Sequence, residues 1–533
     1  MVALNLRFQY GYPWHYREGV SFKGYFRDHK DRWVAGQQAL AYFREVKDAG
    51  TLAKVLSQVN GCFCVIIQFE GSVIAGNDQM GFFSLFYTRE NNEWWISDDW
   101  TRLFEAKENT QVNDNAVPEF YGGGFVQGVE TLGKDVFKLK AGEIAQFREE
   151  LALRTYFNYL PYQSDRQDYR IFKDEMARKI ALSTNQVVSG LQDRTAVIPL
   201  SGGFDSRLIA CMLKSVNYKN VVCLTYGKPN PESKLSQKVA EKLGYRWIFI
   251  NYKHLKTKGF SQEQIFKDYV QYVGKGSSMP YLQEYFAVKE LKEKSLIPDD
   301  SVFLPGHPGT SLAGAHIEKP KIEGSLDDEA FNHLVRQFFK FSTLDKTRQN
   351  LIIQRMKELF GRIPSAFNEE DENFWAKIDD WEIRERSAGF TFNSAHVFPF
   401  FGYQLGFPLW ETDLGAYFKH LPLSYNTATK LYHEVIREHF FEPMGVSFGD
   451  QEMNQENWPS SFTSIKKLLK PYIPGWFFKS KLHRDDWPDY HRFTKELKNQ
   501  IKDKEGLPND YYSYNAIICW WYVDHIKRLN DSP

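Results

Sequence analysis

Between residues 196 and 250 the chain alternates short apolar runs with amphipathic ones. Ala196-Val197-Ile198-Pro199-Leu200 has the pattern of a buried strand, and 207–215 that of a helix. Val221–Gly227 reads as a second strand, 232–243 as a helix stopped by Gly244, and 246–250 as a third strand. This order predicts a parallel sheet with crossover helices, whose ligands bind beyond the carboxyl ends of the strands. The pattern differs over 61–100. Runs at 62–67, 72–75, 82–87 and 94–97 predict β elements separated by Gly, Asn and Asp, and the first eight residues alternate like a further strand. Helical periodicity over 331–360 and 382–398 predicts an α-helical layer against the parallel sheet, closed by the aromatic stretch 511–529. Pro- and Gly-bearing breaks near 160–161, 361–364 and 470–475 mark loops. The first of these divides the chain into domains 1–160 and 161–533.

The turn Ser201-Gly202-Gly203-Phe204-Asp205-Ser206 stands where the first parallel strand hands over to a helix. Glycines let the backbone turn and approach a ligand, and the serine hydroxyls and first helical N–H groups present donors to phosphate oxygens. Asp205 adds a carboxylate suited to Mg²⁺. A plain strand-to-helix connection is the competing reading of these six residues. The Walker loop is excluded, since no Gly-Lys-Ser or Gly-Lys-Thr follows.

The segment resembles the PP-loop of ATP pyrophosphatases, in particular the synthetase domain of the asparagine synthetase family. The resemblance implies that Leu200, Ser201, Gly202, Gly203, Asp205, Ser206, Thr225 and Gly306 hold ATP and its pyrophosphate, with Asp205 also the metal ligand. It implies further that a substrate carboxylate attacks the α-phosphate, and that a nitrogen nucleophile converts the acyl-adenylate into an amide. Asn60-Gly61, Asp78, Gly81 and Ser97-Asp98, with the segments 128–132 and 138–143, resemble the class II glutamine amidotransferase domain that precedes that synthetase domain. The implied fold is α/β with an α+β N-terminal domain. It comprises an Ntn-hydrolase-like, β-rich N-terminal domain, then a doubly wound parallel-sheet PP-loop domain with a C-terminal helical layer.

The chain departs from the family at several positions. Position 2 is Val2, where amidotransferase chemistry needs an N-terminal cysteine. Cys62 and Cys64, on one face of a strand, read as small core residues, so the glutaminase domain is predicted inactive. In the second loop, Thr310 and Ser311 stand in place of an aspartate and a glutamate. His307 stands near the expected reacting carboxylate, as general base, hydrogen-bond donor or structural residue. In the acceptor segment, Gln404, Gly406 and Glu411 replace a glutamate, an arginine and an aspartate. A lysine-bearing helix at 426–438 resembles the family's, whereas the catalytic lysine has no secure match; Lys466 and Lys467 are the nearest.

Composition narrows the function. Lys plus Arg and Asp plus Glu both number 67, a balance unlike the footprint of a nucleic-acid binder. The five cysteines have neither zinc-site nor disulfide spacing. No apolar stretch is of membrane-spanning length and no leader pattern opens the chain, so a soluble, cytoplasmic protein is expected. The leading expectation is an ATP- and Mg²⁺-dependent amide-forming ligase, with Asp205 and His307 as catalytic candidates. Its partners are a small-molecule or sugar-linked carboxylate and ammonia or an amine from solution or a separate glutaminase; bacterial surface-polysaccharide biosynthesis is the setting the resemblance suggests. The alternatives are an intramolecular lactam or peptide cyclase of the same family, and a non-catalytic scaffold.

Overall fold

The computed structural model describes residues 2–530, apart from 70, 108, 161–167, 316–327, 366–369, 423–424, 427–428, 449–481, 484 and 502–503. The N-terminal strands are β1 (Val2–Asn5), β2 (His15–Arg17), β3 (Val20–Arg27), β4 (Trp33–Ala35), β5 (Asn60–Phe69), β6 (Ser72–Asn77), β7 (Phe86–Glu90), β8 (Glu93–Ser97), β9 (Phe137–Lys138), β10 (Glu143–Phe147) and β11 (Leu151–Thr155). One sheet runs β11-β10-β6-β5-β3-β2, with β4 also on β3. The other runs β1-β8-β7-β9. Alternation along β5 explains the layering. Phe63, Val65 and Ile67 join a small core with Leu52 and Leu56 of helix α1 (Ala49–Leu56). Cys62, Cys64 and Ile66 face the opposite way, into the main core that runs on through the rest of the chain.

The second half begins with helix α2 (Tyr169–Leu191) and carries strands β12 (Ala196–Pro199), β13 (Val221–Gly227), β14 (Arg246–Asn251), β15 (Val302–Phe303) and β16 (Gln404–Leu405). All pair in parallel, in the order β14-β13-β12-β15-β16. The order reverses between β12 and β15, because the chain builds outward from β12 one way and then returns to its other side. The connections leaving β12 and β15 therefore part at their carboxyl ends, which makes a crevice. Helix α3 (Phe204–Ser215) follows β12, and α4 (Pro231–Leu243) follows β13. Asn230 and Ser233 form a capping box at the start of α4, and left-handed Gly244 ends it as the sequence predicts. Beyond the sheet lie α5 (Thr412–Lys419) and α6 (Lys430–Ile436).

The α/β core and the β-rich N-terminal region match expectation; several boundaries do not. Phe82 and Phe83 lie in a loop, and the strand placed at 82–87 is β7, starting at Phe86. The single helical run at 331–360 is two helices, Asp328–Phe338 and Lys346–Arg362. The helical stretch from 382 opens with a ten-residue π-helix, Glu382–Thr391, a rare form that clusters at functional sites. The aromatic C-terminal run becomes helical only at Asn515–Asn530. Pro161 and the loop at 470–475 lie outside the described residues. No helix among those described is long and apolar enough to cross a membrane.

Candidate active site

The turn after β12 is stitched by its own serines. Leu200 extends the ladder through its N–H to the Leu224 carbonyl (2.8 Å) and accepts the Thr225 hydroxyl on its own carbonyl (2.9 Å). The Ser201 N–H donates to Ser206 Oγ at 3.1 Å, and the Gly203 N–H donates to Ser201 Oγ at 3.2 Å. Beneath the turn, buried Arg207 donates to the Gly202 carbonyl at 2.6 Å and to the carbonyls of Val446 and Phe448. Ser201 remains exposed at the head of α3, where helix N–H groups favour an anion.

Asp205, in the first turn of α3, is where the two loops meet. Its carboxylate accepts the Thr310 hydroxyl at 2.5 Å, the Thr310 N–H at 3.1 Å and the Tyr432 hydroxyl at 2.8 Å. Burial raises its pKa above the ordinary carboxylate value, and the two hydroxyls partly offset the rise. Only glycine permits so close an approach by the second loop. A Cβ at Gly306 would stand 2.7 Å from Asp205 Cβ, and one at Gly309 would stand 2.8 Å from Asp205 Oδ1. Thr310, which stands in place of an aspartate, thus donates to the remaining acid. Ser311 Oγ lies 3.4 Å from Oε1 of Glu382, a buried residue whose other carboxylate oxygen has no hydrogen-bond partner among the described residues.

Leu200, Ser201 and Thr225 also line a cavity of about 100 Å³ with Tyr226, Gln283 and Trp487. Trp487 roofs it. Its carbonyl accepts the Lys228 N–H at 2.8 Å, and its ring lies 2.7 Å from where a Cβ on Gly227 would stand. Beside the cavity, Tyr226 donates to Glu284 at 2.6 Å. Burial lifts the Glu284 carboxyl from 4.5 to about 7, against the Tyr226 hydroxyl. A raised folded-state pKa contributes stability in acid that is lost as pH climbs through 7. Glu284→Gln should therefore gain on the wild type between pH 4.5 and pH 8, by up to about 3 kcal/mol. Parallel urea midpoints for the two proteins across that range would refute the assignment.

Other predicted residues scatter. His307 is half-buried and makes no hydrogen bond among the described residues. Burial lowers its pKa to about 4, which leaves a neutral imidazole at pH 7. Gln404 opens β16 and accepts from Arg194 at 2.6 Å, a structural tie at the end of the sheet opposite the phosphate loop. Glu411 turns to Arg27 of the N-terminal half at 3.0 Å. Lys466 and Lys467 lie outside the described residues. Tyr432 and Glu382 were not foreseen: Tyr432 sits inside the helix the sequence marks, but a tyrosine among apolar neighbours carries no signal of its own. No group of three His, Cys, Asp or Glu placed to hold a metal occurs among the described residues.

Comparison with known proteins adds distant relatives, although no family model matches the chain. It is 22% identical over 317 residues to the microcin J25-processing protein McjC of Escherichia coli, covering 58% of each protein. It is 25% identical over 207 residues to asparagine synthetase [glutamine-hydrolyzing] 1 of Bacillus subtilis, covering 37% of this chain and 30% of that one. These two partial matches support the resemblance to the asparagine synthetase family, as a divergent relative. The chain spans little more than half the length of the first of these curated relatives and less than a third of the second. Among solved structures, the NH3-dependent NAD synthetase of Campylobacter jejuni matches at 17% identity with a TM-score of 0.19, over 38% of this chain and all of that one.

The amidotransferase-like motifs of this chain make structural hydrogen bonds. Asp78 accepts the N–H groups of Phe63 (2.9 Å) and Met80 (2.7 Å) and lies buried, and Asp98 accepts those of Arg7 (2.8 Å) and Phe8 (3.0 Å). Asn60 donates to the Trp410 carbonyl at 2.7 Å. Cys62 and Cys64 are fully buried, and burial pushes both thiols far above their ordinary pKa, away from the nucleophilic thiolate. Purified protein should release no glutamate from glutamine above the buffer rate, and Cys62→Ala should change nothing. Hydrolysis abolished by that substitution would show a live glutaminase.

Proposed function

We propose that the chain is an ATP-dependent amide-forming ligase that adenylates a carboxylate and passes the acyl group to ammonia or an amine. The observation that carries this reading is the meeting of Asp205, at the head of α3, with the Gly306–Thr310 loop at the switch point between β12 and β15. The residues suit a nucleotide at its phosphate end, where Ser201, Ser206 and the first N–H groups of α3 present donors. At the other end, a cavity of about 100 Å³ is below the roughly 300 Å³ of small-molecule pockets, so Trp487 must swing aside to admit the whole molecule.

Mg²⁺ fits the donor set, since it is commonly held by one or two carboxylates together with substrate phosphates, and Asp205 supplies one. When bound, it neutralises the charge that develops on pyrophosphate. The acid's oxygen attacks the α-phosphorus, the α–β bridging P–O bond breaks, and pyrophosphate leaves. The amine then attacks the acyl carbon, the C–O bond to AMP breaks, and the amine gives up a proton. Asp205 would hold the cation that accompanies the phosphates, while Tyr432 and Thr310 orient its carboxylate. His307 is neutral at pH 7 and can accept a hydrogen bond from the amine, although burial disfavours the imidazolium it would become on taking the amine's proton. Incubation with ATP, Mg²⁺, ammonium and candidate acids should yield AMP and pyrophosphate; ADP as product would remove the mechanism.

A peptide-directed version of the same chemistry is the second reading, intramolecular amide formation included. The longer of the two curated matches, to a microcin-processing protein, favours it over a sugar-linked acid.

A further inference from the structure

The turn after β12 contains a peptide unit flanked by glycine on both sides, Gly202-Gly203, and such a unit can turn over at little cost. A half-turn changes ψ of the first residue and φ of the second, and glycine tolerates either value. For a phosphate ligand the two orientations are not equivalent. In a planar trans peptide the N–H and C=O point opposite ways, so one faces the ligand and the other faces the protein. Here the Gly203 N–H turns to the exposed Ser201 side chain at 3.2 Å, and the Gly202 carbonyl turns to fully buried Arg207 at 2.6 Å. A flipped unit would set a carbonyl dipole where an anion needs a donor.

Arg207 is itself fixed from behind. Its second terminal nitrogen, Nη1, donates to the carbonyls of Val446 (3.1 Å) and Phe448 (3.2 Å), and its guanidinium lies 4.8 Å from the centre of the Phe441 ring and 5.7 Å from that of Phe204. Phe441 closes a short π-helix, Arg437–Phe441, and left-handed Gly445 turns the chain back so that the Val446 N–H donates to the Phe441 carbonyl at 2.9 Å. The same stretch carries Tyr432, on Asp205, and His433, whose ring stacks on Phe204 at 4.1 Å. Residues 432–448 thus grip the head of α3 at Phe204, Asp205 and Arg207.

We propose that Arg207 is a positioning residue for the phosphate site: it locks the Gly202-Gly203 peptide with its N–H outward, and the 432–448 stretch holds the lock. The proposal rests on the reading of this turn as the ATP site.

A different lock can stand in for Arg207. Turning the unit over would carry φ of residue 203 from −70° through a half-turn to about +110°, which glycine accepts and alanine does not. The observed φ of −70° and ψ of 170° suit alanine, whose Cβ would meet Ser201 Oγ at 3.2 Å and no other described atom within 4 Å. Gly203→Ala therefore fixes the orientation without the guanidinium. The test is a double-substitution cycle on the full chain, read by calorimetric titration with ATP and Mg²⁺. Arg207→Met is expected to weaken binding at least tenfold in the wild-type background and less than threefold in the Gly203→Ala background. Equal losses in both backgrounds would mean that Arg207 acts through its charge or through packing, and would overturn the proposal. Undiminished binding by Arg207→Met overturns it too, as does loss of binding in Gly203→Ala alone, since the enforced orientation would then not be the binding one. All three outcomes leave the ligase reading standing, whereas absence of ATP binding by the wild type ends both. If Arg207→Met fails to fold, Arg207→Lys, which keeps the charge and loses the fork, enters the same comparison.

Discussion

Asp205→Asn is expected to weaken Mg²⁺-dependent ATP binding by about a hundredfold, roughly 2.7 kcal/mol, while making the protein more stable. The two effects have one cause. The carboxylate is held half-buried, with its pKa raised by desolvation, and its partners among the described residues are the neutral donors Thr310 and Tyr432. Burying a carboxylate without a cation beside it costs stability, which is tolerated where a bound metal cation would supply the counter-charge. Asparagine has nearly the same shape, accepts one of the two hydroxyls and removes the charge. Calorimetric titration of ATP with and without Mg²⁺, beside a thermal melt, reads both effects. Undiminished binding by the variant would take Asp205 out of the nucleotide site, and a lower melting temperature would show that its charge is structural. Absence of binding by the wild type itself would favour the scaffold reading.

Much of the site was legible in the sequence because its parts are local. Ser201 to Ser206 fold as one turn whose hydrogen bonds span five residues or fewer, and Val221–Gly227 is the strand the sequence marks. The switch-point crevice does not follow from element order alone, since Val302–Phe303 pairs on the free side of β12 although the outer edge of β14 was also open. What stayed hidden depends on contacts between distant segments. Tyr432 reaches Asp205 across 227 residues, and Trp487 covers the cavity from the far end of the chain. The acceptor segment misled for a related reason. Spacing aligned Gln404 and Glu411 with acids of the family, but their partners, Arg194 and Arg27, are set by packing between the halves. Thr310 read as a loss, and it is a replacement: a hydroxyl within 2.5 Å does for the unliganded carboxylate what a second acid could not.

Arg27→Met is expected to destabilise the protein by about 3–5 kcal/mol at pH 8, the range for removing one partner of a buried ion pair. Arg27 ends β3, is 2% exposed, and joins the two halves. It donates to Glu411 at 3.0 Å, to Ser189 Oγ at 3.1 Å and to the Gln186 carbonyl, with its guanidinium 5.5 Å from the Trp33 ring. Methionine fills the space but leaves Glu411 buried and unanswered. Burial already lifts that carboxyl to about 7 even with Arg27 beside it, so without the cation it will take up a proton readily. The loss should therefore shrink on moving to pH 5.5, where Glu411 is neutral in both proteins. Adding Glu411→Gln should recover much of it at pH 8. Urea midpoints of the three variants at both pH values check this, and an equal loss at pH 8 and pH 5.5 would mean that Arg27 acts through packing alone. Glu411 and Trp410 are neighbours, and Gln186 supplies the carbonyl that Arg27 holds. Loosening this joint should lower stability while sparing ATP binding at the far side of the β12 turn.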